Sequence, residues 1–277
     1  MPHAEARGQP DADRSALWLP LLRRFTELSP QWVVWKNADA ALAGVGDIDA
    51  AAPERDWTVL ERAFREWATA QGVGPVVVCH HIPGGLNLVA VPPSMPTLLE
   101  VGMKARRIWR GATLFVLDDL VPLMRMDPRG FRRLRPGAEG LLKLLLNGVA
   151  WGGRPNRTAL EAKGVLPLLR DDPEGVRDAA HRLLGGAADA AIAGAERAAA
   201  GGWDAGAMRA VERHALLRAA RSPRILGRRA LFRARGKAEC PVVAAILRDG
   251  RRIPDDRAGW LARVATSHAV YATADEP

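Results

Sequence analysis

Cysteine is nearly absent from this chain: Cys79 and Cys240 are the only two in 277 residues. Two cysteines build neither a disulfide framework nor a thiolate zinc site, and their scarcity suits a reducing, cytoplasmic setting. Long apolar runs are missing, so no segment reads as a membrane span. The first residues, Met1-Pro2-His3-Ala4-Glu5, lack the basic-then-apolar pattern of a secretory signal. Histidines with metal-ligand spacing are also lacking. His80 and His81 are adjacent, so in extended chain they point to opposite faces and read as loop residues. The glycines around Asn147–Pro155 are not followed by Gly-Lys-Ser/Thr, which excludes a phosphate-binding loop of that type. Aromatics are 5% of residues, too few to suggest a base-stacking surface.

What remains is a composition rich in Ala, Leu, Arg and Gly, with enough chain for one large domain or two modest ones. Residues 1–13 are small and polar, and read as a disordered lead. Leu17, Trp18, Leu21, Leu22 and Phe25 fall at helical spacing, which predicts a helix over 15–28 that Ser29-Pro30 ends. A strand over 31–36 follows, then a loop to Gly46. A second helix spans about 56–71, with Asp56 as its cap and Trp57, Leu60, Phe64 and Trp67 on its buried stripe. Strands over 75–79 and 86–91 form a hairpin, and a further strand runs over 97–104. This order suits a small mixed sheet with helices on one side.

The chemistry gathers at Gly44-Val45-Gly46-Asp47-Ile48-Asp49. Asp47 and Asp49 are two apart on a strand, so both carboxylates project from one face while Ile48 turns into the core. Two like charges that close repel, and the pair should hold protons more tightly than usual unless a cation sits between them. Mg²⁺ is the hard cation that takes carboxylate oxygens together with nucleotide phosphates. The same residue types also suit a plain turn with surface aspartates.

An apolar strand, a Gly-x-Gly turn and Asp-x-Asp on the next strand resemble the nucleotidyltransferase fold of the polymerase-β superfamily, small bacterial type. The resemblance covers about residues 14–150. It implies a mixed sheet of that type, a bound Mg²⁺ on Asp47 and Asp49, and an NTP substrate. Gly44 and Gly46 would let backbone approach the phosphates. A third carboxylate is expected on a later strand, where Asn87 and Gly102 are neutral; Glu100 is the candidate for third ligand or general base. Lys36-Asn37 stands where relatives carry Gly-Ser, a departure that leaves Lys36 either as phosphate charge or as a solvated strand-end lysine. The resemblance also favours a basic residue on the helix after the sheet. Arg132 and Arg133 lead into the helix over 141–147, and Lys143 lies within it, either aimed at the triphosphate or snorkelling.

Residues 148–155 read as a domain boundary, with a mainly helical second half (151–277). Helices are expected over 158–163, 173–184, 187–200, 203–220 and 258–270. Residues 209–237 hold ten Lys/Arg against one acid, Glu212, an excess equal to the net charge of +9 of the whole chain. The basicity is therefore local. It suits a polyanion or nucleic acid, or an unemployed solvated arginine face.

The reading is an α/β nucleotidyltransferase-like domain followed by a helical region. Its expected activity is Mg²⁺-dependent transfer of a nucleotidyl group from an NTP to an acceptor hydroxyl. Two alternatives stay open: a catalytically degenerate binding protein of the same fold, and a basic nucleic-acid-binding protein.

Overall fold

The computed structural model describes residues 14–80, 84–90, 98–162 and 164–222, single positions between 224 and 231, and residues 269–272. Its centre is a mixed eight-stranded sheet. The strands are β1 (Val33–Lys36), β2 (Ile48–Ala51), β3 (Val76–His80), β4 (Gly85–Ala90), β5 (Leu99–Lys104), β8 (Met124–Met126), β9 (Arg132–Leu134) and β10 (Ala269–Ala272), in the order β10-β3-β4-β5-β2-β1-β9-β8. β6 (Arg106–Trp109) and β7 (Ala112–Val116) form a separate hairpin. The expected strands over 31–36, 47–51 and 97–104 are β1, β2 and β5, adjacent in one sheet. β2 pairs antiparallel with β1 and parallel with β5.

Strand alternation explains the layers. Leu86, Leu88 and Ala90 of β4, Leu99, Val101 and Met103 of β5, and Ile48 and Ala50 of β2 all face one core. Helices α1 (Ser15–Leu28) and α3 (Trp57–Ala70) cover it, joined by the stacked rings of Trp18 and Trp67, 5.2 Å apart. Asp56 does not cap α3 with its side chain; its carboxylate accepts from Ser29 Oγ at 2.6 Å. Between β1 and β2 lies α2 (Ala38–Leu42), where a loop is expected.

The opposite face is divided. At the β1–β9 side, Val33, Trp35, Ala51 and Leu134 meet the second half of the chain. The helices on this side are α4 (Leu117–Leu120), α5 (Pro136–Lys143) with a π-helical turn over Leu144–Gly148, and, beyond residue 151, α6 (Arg157–Ala162), α7 (Val165–Asp171), α8 (Pro173–Leu184), α9 (Ala188–Ala199) and α10 (Ala205–Ala220). Helices therefore cover both faces rather than one. The expected boundary at 148–155 is not a break in packing, because residues of α5 and α7 to α10 share one buried cluster with the sheet.

The hairpin β6–β7 is tied into that half. Arg110 and Gly111 form its two-residue turn, both at positive φ (50° and 85°), the backbone a twisted hairpin requires. The Arg110 guanidinium lies over Trp151 at 4.4 Å, donates to the Val149 carbonyl at 3.1 Å and pairs with the buried Glu212 at 2.6 Å. Glu212 in turn accepts from the Gly152 N–H. These contacts hold an arginine in a conformation it rarely adopts.

The expected disordered lead 1–13, His81 and residues 258–268 of the expected last helix lie outside the described residues. So does most of the basic segment beyond 222. Ala269 and Val270 pair as strand with β3, where the end of a helix is expected. Among the described residues no helix is long and apolar enough to cross a membrane.

Candidate active site

The polar half of the second face is built by three adjacent strands. Asp49 comes from the start of β2 with Asp47 immediately before that strand, Glu100, Gly102 and Lys104 from β5, and Asn87 from β4. Pairing aligns Asp49, Gly102 and Asn87 across the sheet. The same alternation that buries Leu99, Val101 and Met103 leaves Glu100 and Lys104 on this face.

The approach to Asp47 is set by α2. Its end places Gly44 at φ 87°, with Val45 N–H bonding to Ala40 O and Gly44 N–H to Ala41 O. That is a Schellman cap, which needs a left-handed residue. Gly44 is thus a helix terminator rather than a phosphate cradle, correcting that expectation. Gly46 (φ 86°) does face open space, since a side chain there would meet nothing within 4 Å.

Lys36 reaches the site through a β-bulge. Val34 pairs with Ala50 but Lys36 pairs with Asp49, so two residues of β1 oppose one of β2. The extra residue, Trp35, stays in the core, where its Nε1 donates to Ala50 O at 3.1 Å. Lys36 is thereby re-aimed onto the carboxylate face, a common use of bulges beside sites. Its Nζ lies 2.8 Å from Asp49 Oδ2, and Asn37 Nδ2 donates to the same oxygen at 3.2 Å.

Asn87 is the hub of the other side. Its Nδ2 donates to Glu100 Oε1 at 2.8 Å, and its Oδ1 accepts from Lys104 Nζ at 3.3 Å. Gly102 leaves room for it: a Cβ there would stand 3.3 Å from Asn87 Oδ1. Burial pushes the Glu100 carboxyl up to about 7, with Asp47 and Asp49 adding like-charge repulsion. Burial also raises Asp49, against the opposing pull of Lys36, while Asp47 adds to the rise. Lys104 is pushed down to about 8 by burial and then by Arg107. Arg107, on β6, is lowered by burial, with the Asp49 charge opposing.

Three expected phosphate ligands serve the scaffold instead. Arg132 donates to the carbonyls of Thr26 (2.6 Å) and Ser29 (3.1 Å), which closes the end of α1. Arg133 is buried and pairs with Asp39 (2.9 Å), Glu139 (3.0 Å) and Asp127 (3.2 Å). Lys143 is buried with its Nζ 3.6 Å from Glu139. The charges of Arg133 and Lys143 are already matched by carboxylates. Glu139 also accepts from the backbone N–H of Asn37 at 2.8 Å, so this network abuts the site without joining its chemistry. Asn37 holds a left-handed backbone (φ 63°) and touches both.

The structure therefore brings Asp47, Asp49, Glu100 and Lys36 together and keeps Arg132, Arg133 and Lys143 apart. Sequence reasoning missed Lys104 and Arg107 as site residues. The signal for Lys104 was the alternation Leu99-Glu100-Val101-Gly102-Met103-Lys104, which puts it on the face of Glu100. Arg107 had none, since it depends on how the β6–β7 hairpin folds back.

Among the described residues, no three His, Cys, Asp or Glu side chains converge into a ready-made metal cage. Glu100 is held by Asn87, leaving Asp47 and Asp49 as the carboxylate pair. That pair fits Mg²⁺, which takes one or two carboxylates with water and substrate phosphates more often than an all-protein cage. No family model, curated protein or solved structure matches this chain.

Proposed function

We propose that the protein is a Mg²⁺-dependent nucleotidyltransferase of nucleotidyltransferase-like fold, which moves a nucleotidyl group from an NTP to an acceptor hydroxyl. The observation that carries this reading is the placement of Asp49 of β2 and Glu100 of β5 on one polar face, with Asp47 immediately before β2 and burial raising both carboxyls, Glu100 to about 7. Asp47 and Asp49 would hold the ion, which when bound neutralises phosphate charge. Lys36 balances Asp49 and keeps its carboxylate oriented. Asn87 fixes one oxygen of Glu100, leaving the other for a substrate proton.

The acceptor hydroxyl gives its proton to Glu100 as its oxygen attacks the α-phosphorus. The new P–O bond forms as the bond to the β-phosphate oxygen breaks, and pyrophosphate leaves with that electron pair. A base with a pKa near the working pH is suited to this step. Incubation with α-labelled NTPs, Mg²⁺ and candidate hydroxyl acceptors tests the reading. Label transfer that is lost in Asp49→Asn and Glu100→Gln supports it; no transfer with any NTP by a folded wild type counts against it.

A second reading is favoured by one contact. The Lys36 ammonium already lies against Asp49, which suits a degenerate member of the same fold that binds a nucleotide without turnover. NTP binding without label transfer would select it.

A further inference from the structure

The polar face carries opposite charges side by side. Asp47, Asp49 and Glu100 are its carboxylate end. Lys104 and Arg107 are its cationic end, and it is not remote: Lys104 lies four residues along β5 from Glu100, and both side chains bond Asn87. The carboxylate end has protein partners: Lys36 and Asn37 for Asp49, Asn87 for Glu100. The cationic end is poorly matched. Arg107 Nε is buried without a hydrogen-bond acceptor, as are the Nε atoms of Arg110 and Arg133, but those two guanidiniums meet carboxylates and no ion pair is formed by Arg107 among the described residues. Lys104 is buried, and its hydrogen bond to Asn87 is long at 3.3 Å. An ammonium carries three donors and a guanidinium five, so most of this capacity is unused.

Lys104 is buried and Arg107 half-buried, and two poorly matched cations side by side repel. The buried Arg133 shows what this fold does when a guanidinium is purely structural: it surrounds it with three carboxylates. No such arrangement exists at Arg107. A guanidinium fork beside an ammonium is the donor set that phosphate oxygens satisfy.

We infer that Arg107 and Lys104 form a receiving site for a phosphate group of a bound substrate, beside the carboxylates and across Asn87 from Glu100. The site orients the ligand: its phosphate lies on Arg107 and Lys104, and its reacting end lies at the carboxylates. This rests on the nucleotidyl-transfer reading only for which substrate carries the phosphate. That phosphate belongs either to the nucleotide or to a phosphorylated acceptor.

Calorimetric titration of the full chain with pyrophosphate in EDTA tests the anion site without metal or turnover. Wild type is expected to bind. Arg107→Gln and Lys104→Gln should each weaken binding about tenfold or more, Arg107→Lys should recover part of the loss, and Arg106→Gln on the exposed side of β6 should leave it unchanged. Displacement of pyrophosphate by ATP assigns the site to the nucleotide; displacement by ribose 5-phosphate but not ATP assigns it to the acceptor. Unchanged affinity in Arg107→Gln and Lys104→Gln, with melting temperatures like wild type, overturns the inference, as does the absence of wild-type binding at millimolar pyrophosphate. Arg107-dependent binding without nucleotide transfer would discard the transfer reading and keep this site.

Discussion

The Arg133 network and the Asp49 site are both charged, both sheltered and both in contact with Asn37, yet their protonation equilibria move in opposite directions. In the network, burial works against charge but the opposite charges outweigh it. Asp127 and Asp39 are held below the ordinary carboxylate range by Arg129 and Arg133, and Arg133 is held above its usual value chiefly by Asp39 and Glu139. In the site, burial wins. Asp49 and Glu100 rise and Lys104 and Arg107 fall, each toward its neutral form. The difference is pairing. Each network cation meets its carboxylates at salt-bridge distance, whereas Lys104 and Arg107 have no carboxylate that close. A scaffold neutralises its buried charges internally; a site leaves some for a ligand.

The largest effect should come from breaking the network. Arg133→Gln leaves Glu139 and Asp127 without their main buried partner and should destabilise by about 3–5 kcal/mol in urea denaturation. A loss below 1 kcal/mol would mean that the network holds little of the fold together.

The site should respond with the opposite sign. The unfolded Glu100 carboxyl titrates near 4.5 and the folded one near 7. Below pH 4.5 both states are protonated and the group is neutral toward stability. Between 4.5 and 7 the unfolded chain releases its proton first, so stability falls as pH rises, and above 7 the whole penalty is present. In EDTA at pH 8, Glu100→Gln should therefore be more stable than wild type by about 1–3 kcal/mol, and at pH 4 the two should coincide. A variant that is destabilised at pH 8 would place Glu100 with the scaffold. Smaller still is Gly102→Ala. Its new methyl crowds Asn87, and the expected cost is about 0.5–1 kcal/mol in stability, with a shift in the pH profile of transfer as Glu100 loses its hydrogen bond. An unchanged profile would remove Asn87 from the account.

Much of this was legible in the sequence where the signal was local. Apolar periodicity gave α1, α3 and α8 nearly to the residue, while the strand expected to carry both Asp47 and Asp49 begins at Ile48 and carries Asp49 alone. Alternation along β5 would have added Lys104. The five-residue α2 was missed because its Ala-rich run between Asn37 and Gly44 offers no apolar period, and Gly44 reads equally as loop or cap. The bulge that turns Lys36 toward Asp49 is a property of β1 against β2, invisible in either strand alone. Arg133 looked like a phosphate ligand because nothing in the sequence marks its partners: Asp127 and Glu139 lie six residues to either side across a strand end and a helix start, and Asp39 lies 94 residues away. The boundary at 148–155 failed for a related reason. Glycines mark a turn whether or not the chain beyond returns to the same core.

Melting curves of wild type and Asp47→Asn, each with and without Mg²⁺ and with a panel of NTPs, test the central claim most directly. A ligand that binds the folded state raises its melting temperature. The account predicts that wild type gains stability with Mg²⁺ and gains more with Mg²⁺ and its NTP. Asp47→Asn, with one ligand and one repelling charge removed, should melt at or slightly above the metal-free wild type and lose the Mg²⁺ response. A wild type whose melting temperature moves with no combination of Mg²⁺ and NTP would contradict the account.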